Sequence, residues 1–232
     1  MLRGAYIISQ LIRLARWFGI IIITVAASIS VPSKAQNPDD ALRVYAVKVI
    51  LTPPQSNSPL ISSGVYLGRG AIITAAHVVG PNLRVVIAGQ ELPADVIKLG
   101  SSETTDLALL SVDQTHLPVS LLLRRNPLCK EPPEAGDTVI VVVPGGTARS
   151  RIISRNGSNN FIDVSTAGDS GSGVFHHKGC LLGILNAKIS DFYYRMENGL
   201  IIRDLGSGSI EAAKHFVSVP EIVKFIPPEL RF

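Results

Sequence analysis

Short runs of β-branched and other apolar residues, bounded by Gly, Pro and Asn, recur along this chain with no convincing amphipathic helix between them. They are Val44–Leu51, Gly64–Leu67, Ala71–Thr74, Arg84–Ala88, Asp95–Leu99, Leu107–Val112, Thr138–Val143, Arg151–Arg155, Phe161–Val164, Gly173–Phe175 and Cys180–Leu185. Punctuation of this kind predicts an all-β barrel or sandwich and excludes a βαβ design. Asn156-Gly157 is the clearest hairpin turn and Gly68-Arg69-Gly70 a second, because tight hairpins need positive φ. Between Leu117 and Ala135 four prolines (118, 127, 132 and 133) replace strand signals, so this stretch reads as a connector. The expected layout is a leader over 1–35, one β lobe over 36–118, the connector over 119–134 and a second β lobe over 135–232. Pro220–Ile226 closes the chain as a short helix with proline in its first turn. Ser209–Phe216 reads equally as helix or strand.

The leader sets the compartment. Arg3, Arg13 and Arg16 precede a 15-residue apolar run, Trp17–Val31, and Ser33-Lys34-Ala35 places small residues three and one positions before a cut. The run is short for a membrane span, which takes roughly 20 residues. Export with cleavage after Ala35 is therefore expected, giving a secreted or periplasmic protein. An uncleaved leader would make it membrane-anchored, the one circumstance in which a membrane is a partner. Four of the 22 Lys and Arg lie in this leader with no acid beside them, which leaves 18 bases against 18 acids in the body. A neutral body lacks the clustered cations that wrap nucleic acid, so no nucleic-acid partner is expected. Cys129 and Cys180 permit one disulfide in an oxidising compartment, the alternative being two buried thiols. His176, His177 and Cys180 have irregular spacing and read as a polar turn, so no metal is expected.

Three fragments carry chemistry: Thr74-Ala-Ala-His77, Thr105-Asp106-Leu-Ala-Leu-Leu110 and Ala167-Gly-Asp-Ser170-Gly-Ser-Gly173. A serine hydroxyl is a poor nucleophile near neutral pH and needs a base that takes its proton and later returns it. An imidazole does this when a carboxylate on its other nitrogen fixes the tautomer and stabilises the imidazolium. His77, Asp106 and Ser170 supply these groups. Gly168 allows the dihedrals and close approach by which backbone amides of Gly168 and Ser170 hold an oxyanion. An α/β-hydrolase elbow is excluded, because position 172 is Ser and His77 comes first in the chain.

Together the fragments resemble the trypsin/chymotrypsin-like serine peptidases, which carry His, Asp and Ser in these contexts and this order. The separations here are 29 and 64 residues, and the resemblance runs from about Val44 to Ile226. It implies two antiparallel six-stranded Greek-key barrels with a short C-terminal helix, a cleft between them, and an endopeptidase acting on protein or peptide substrates without a cofactor. The alternative is a catalytically silent binding or adhesion protein on the same scaffold. The resemblance also implies a substrate pocket formed by Val164, Asn186 and Ala187, with small aliphatic side chains favoured because Val164 stands where a trypsin has an acid. It implies a Cys129–Cys180 pairing that ties neighbouring regions of the second lobe. For Asp169 it suggests an internal cation, Arg149 or Arg151, because no cleavage-generated Ile/Val start is present.

Overall fold

The computed structural model describes residues 38–53, 58–101, 104–155, 157–163, 169–189, 193–197, 200–204 and 213–230. The expected leader, the Asn156 turn, Val164 and Gly168 lie outside them. The chain builds two β systems. The first is a seven-stranded antiparallel sheet formed by β1 (Ala46–Leu51), β2 (Leu60–Gly68), β3 (Ala71–Thr74), β4 (Arg84–Ile87), β5 (Gln90–Pro93), β6 (Asp95–Leu99) and β7 (Ala108–Ser111), in the order β5-β4-β1-β2-β3-β7-β6. The strand beyond the expected six is β5. It forms because Ala88 (φ 51°) and Gly89 (φ 79°) make a two-residue turn with both central residues at positive φ, pairing Ile87 with Gln90.

The second system is a closed six-stranded barrel of β8 (Thr138–Val143), β9 (Gly146–Arg155), β10 (Ser158–Asp163), β11 (Gly173–His176), β12 (Leu181–Ile189) and β15 (Ala213–Ser218). A separate hairpin joins β13 (Tyr193–Glu197) to β14 (Leu200–Asp204). The ambiguous Ser209–Phe216 segment resolves as strand over its described part: β15 pairs with both β10 and β12 and so closes the barrel.

Alternation of side chains explains why the strands are apolar on both faces. On β8, Val139 and Val141 fill the barrel with Ile152, Ile162 and Phe216, while Ile140 and Val142 face a second core. On β3 and β7, Ile72 and Leu110 fill the first sheet, whereas Ile73 and Leu109 face that same second core. Residues of both β systems thus meet in one apolar layer, completed by Phe175, Val217 and the closing helix. β3, β7 and β11, next to which His77, Asp106 and Ser170 lie in the chain, each contribute to this layer.

Helix α1 (Val119–Leu122) is a single turn in the connector. Helix α2 (Val219–Phe225) begins at Ser218, whose backbone N–H and hydroxyl both donate to Glu221 Oε2, with Pro220 in the first turn. It buries Ile222 and Phe225 in the shared layer. Lys98 of β6 donates to the Phe225 carbonyl at 2.8 Å and lies over its ring, so the last helix is pinned to the first sheet. At the other end of the described chain Asp39 forms a two-point ion pair with Arg149 of β9, at 2.7 and 3.2 Å. Tyr45 stacks on Phe175 and donates to the Arg125 carbonyl. Cys129 and Cys180 are joined as a disulfide, Cα atoms 5.0 Å apart, next to the Cys129 N–H to Leu181 carbonyl bond.

Candidate active site

His77 lies in a 3-10 turn, Ala76–Val78, that follows β3 directly. Its position is therefore set by a fully buried strand. Asp106 precedes β7 in a tighter turn, where the Leu107 N–H bonds back to the Thr105 carbonyl. Gly100 makes this turn possible: its N–H donates to the Leu107 carbonyl, and a Cβ there would collide with the Thr105 carbonyl. The Asp106 side chain is buried, and both of its oxygens are used. Oδ1 accepts the His77 backbone N–H at 3.1 Å, and Oδ2 accepts from the ring Nδ1 at 2.8 Å. With its proton on Nδ1, the imidazole leaves Nε2 to accept from the Ser170 hydroxyl, also at 2.8 Å. The His77 side chain stays 38% exposed.

Ser170 occupies the turn before β11. The Ser172 N–H donates to the Asp169 carbonyl at 3.0 Å, and the Ser172 hydroxyl accepts the Asp169 N–H at 3.1 Å. Ser172 is thus a structural part of the turn. Gly171 has φ +87°, and a side chain there would overlap the Ser63 carbonyl and the Thr74 hydroxyl. The Gly171 N–H donates to the Leu185 carbonyl at 2.6 Å. The Ser170 carbonyl accepts from the Ser63 N–H at 3.1 Å and from the Ser62 hydroxyl at 2.8 Å, both on β2. Thr74, buried at the end of β3, donates its hydroxyl to the Ser63 carbonyl at 2.6 Å.

The structure therefore brings His77, Asp106 and Ser170 into one hydrogen-bonded line. Asn186 follows Leu185 on β12; the residue is 4% exposed and its Oδ1 lies 3.1 Å from His215 Nδ1 on β15. Ala187 belongs to the same strand. Neither expected cation pairs with Asp169 among the described residues: Arg149 is committed instead to the buried carboxylate of Asp39, which holds its guanidinium even more firmly protonated than usual, and Arg151 makes no ion pair with Asp169. Ser62 and Ser63 belong to no catalytic motif and carry no sequence signal that marks them. Thr74 was visible only as the first letter of the fragment that ends in His77.

A family model described as a trypsin-like peptidase domain matches residues 62–184, a span that holds all three aligned residues. No curated protein matches the chain. Among solved structures, the active form of the Rv3671c protease from M. tuberculosis superposes with a TM-score of 0.59 at 20% identity, covering 84% of this chain and 85% of that one. Its inactive form gives 0.57 at 20% identity, covering 84% and 93%. A serine endoprotease from Yersinia pestis gives 0.51 at 23% identity, covering 66% of this chain and 58% of that one. At these identities the likeness is one of fold.

Proposed function

Because this chain belongs to the trypsin-like peptidase family, we propose that it is an exported serine endopeptidase using Ser170 as nucleophile, His77 as general base and acid, and Asp106 as the carboxylate that orients and stabilises the imidazole. The observation that carries this reading is the unbroken line Asp106 Oδ2, His77 Nδ1, His77 Nε2, Ser170 Oγ, with 2.8 Å at each hydrogen bond.

In the acylation step His77 Nε2 takes the hydroxyl proton as Oγ bonds to the scissile carbonyl carbon. The positive charge that develops on the ring is met by the buried Asp106 carboxylate. The same proton then passes to the leaving amine, and the C–N bond breaks. Water repeats the sequence on the acyl-enzyme and frees Ser170. The negative charge on the tetrahedral oxygen is assigned to the backbone N–H groups of Gly168 and Ser170. These steps require no cofactor. A hydrogen-bonded nucleophile and base favour this function over a silent binding protein on the same scaffold.

Substrates are proteins or peptides. The pocket assigned to Val164, Asn186 and Ala187 favours small aliphatic residues before the cut, because a Lys or Arg side chain would be desolvated without a counter-charge. The Arg-flanked apolar run and Ser33-Lys34-Ala35 support export and cleavage after Ala35, and a disulfide suits an oxidising compartment. Among the described residues no helix is long and apolar enough to cross a membrane.

Cleavage of a positional-scanning peptide library tests the proposal. Wild-type protein should cut after Val or Ala. Single replacement of His77 or Ser170 by alanine should cost roughly 10⁴-fold or more, and combining the two should cost little beyond the larger single effect, because the groups act as a unit. Additive losses would contradict the assignment. Strong preference for Arg or Lys would overturn the pocket.

A further inference from the structure

We propose that Ser62 is a positioning residue whose hydroxyl, by bonding the carbonyl of Ser170, holds the nucleophile in register with His77. The inference rests on the reading of Ser170 as nucleophile given above and adds a residue that no catalytic motif contains.

The peptide unit between Ser170 and Gly171 is rigid and planar, so fixing its two polar ends fixes the orientation of everything attached to it. Its N–H donates to Leu185 of β12, in the closed barrel, at 2.6 Å. Its oxygen accepts two donors from β2, in the other β system: the Ser63 N–H at 3.1 Å and the Ser62 hydroxyl at 2.8 Å. The plane is thus held from both halves of the molecule, and its tilt sets the direction of the Ser170 Cα–Cβ bond.

The donors on β2 are themselves tied to the base. The Thr74 hydroxyl bonds the Ser63 carbonyl at 2.6 Å, and Thr74 lies three residues before His77 on the strand that feeds its turn. A short hydrogen-bonded route therefore runs from Ser170 through Ser62-Ser63 and Thr74 to His77. Two of its links, the Ser63 N–H and carbonyl, are main chain and present with any residue but proline at that position. The Ser62 hydroxyl is the contact on the Ser170 carbonyl that depends on side-chain identity. It acts only through Ser170, with Leu60 and Ile61 exposed just before it on the strand.

Removing this donor leaves the Ser170 carbonyl half satisfied and lets the plane tilt, and near-attack geometry is sensitive to displacements well below 1 Å. Threonine and valine at position 62 have nearly the same shape and both suit a strand, but threonine alone keeps the hydroxyl. The test uses the full chain, with competent sites counted by fluorophosphonate titration and steady-state rates measured on a peptide amide.

We expect Ser62→Val to lower kcat per titrated site about tenfold, the rate equivalent of one neutral hydrogen bond, with KM within about twofold. Ser62→Thr should keep at least about half the wild-type kcat. Ser62→Ala is read in the same way if the valine variant does not fold. Unchanged kcat per titrated site, a loss shared equally by threonine, or a loss carried by KM would overturn the positioning role. Wild-type protein that forms no adduct would remove the nucleophile reading itself, whereas a normal wild type beside an unaffected Ser62→Val would remove only the role of Ser62.

Discussion

Adding one methyl group at Gly171 should disable the site while leaving every titratable group in place. Gly171 sits at φ +87°, a conformation in which an alanine costs about 1–2 kcal/mol. The methyl would also fall inside contact distance of the Ser63 carbonyl and the Thr74 hydroxyl, and restoring ordinary contact needs a backbone shift of more than about 1 Å. Ser63 has little freedom to give way, because its N–H holds Ser170 and its carbonyl holds Thr74. The two costs together come to roughly 3 kcal/mol, which lowers the unfolding temperature of a chain this size by roughly 6–12 °C. A displacement of about 1 Å at the nucleophile costs on the order of 10²-fold in rate. Gly136→Ala is the control: its φ is +90° but its Cβ would meet nothing within 4 Å, so it carries only the conformational cost. The assays are thermal unfolding and the second-order rate of fluorophosphonate labelling for both variants. If Gly171→Ala labels as fast as Gly136→Ala, the close approach of β2 to the nucleophile turn does not set the reactive geometry.

Further expectations follow from individual contacts. Asp106→Asn keeps the shape but cannot stabilise an imidazolium, so kcat should fall about 10⁴-fold with little change in unfolding temperature; a loss below tenfold in single-turnover kinetics would count against the role of Asp106. Burial of the His176 ring, 13% exposed, lowers its pKa, aided by His177 and opposed by Asp137. The folded state therefore resists a proton that the unfolded chain accepts near pH 6.5, so this stability is present above that pH and lost on acidification. An unfolding-temperature profile over pH 4–8 should flatten on its acid side in His176→Gln. Joining Cys129 to Cys180 closes a separation of 51 residues, worth roughly 4 kcal/mol in the chain-entropy account. Replacing both by serine should lower the unfolding temperature by about 10 °C, and non-reducing peptide mapping of the wild type should show the linked pair.

Where local signals agree, sequence and structure coincide to the residue: β3, β6 and β8 span the segments expected from their apolar runs and flanking turns. β5 was invisible because Ala88-Gly89 is a weak turn signal, and Gln90-Glu91-Leu92-Pro93 has only one buried apolar residue to mark it. β2 begins at Leu60 instead of Gly64, since pairing with β1 recruits a segment whose polar Ser62 and Ser63 broke the expected run. The three aligned residues were legible because nucleophilic chemistry demands particular side chains in recognisable local contexts. Contacts between distant segments left no such trace. The Asp39–Arg149 pair spans 110 residues and the Ser62–Ser170 bond spans 108, and each side chain taken alone looks like any solvated polar residue.

The most direct test of the account is the site of covalent capture by a fluorophosphonate. Folded wild-type protein should form one adduct, which tandem mass spectrometry places on Ser170, and Ser170→Ala and heat-unfolded wild type should form none. Folded wild type that stays unmodified, or an adduct on another serine that survives Ser170→Ala, would contradict the claim that His77 and Asp106 make Ser170 the nucleophile.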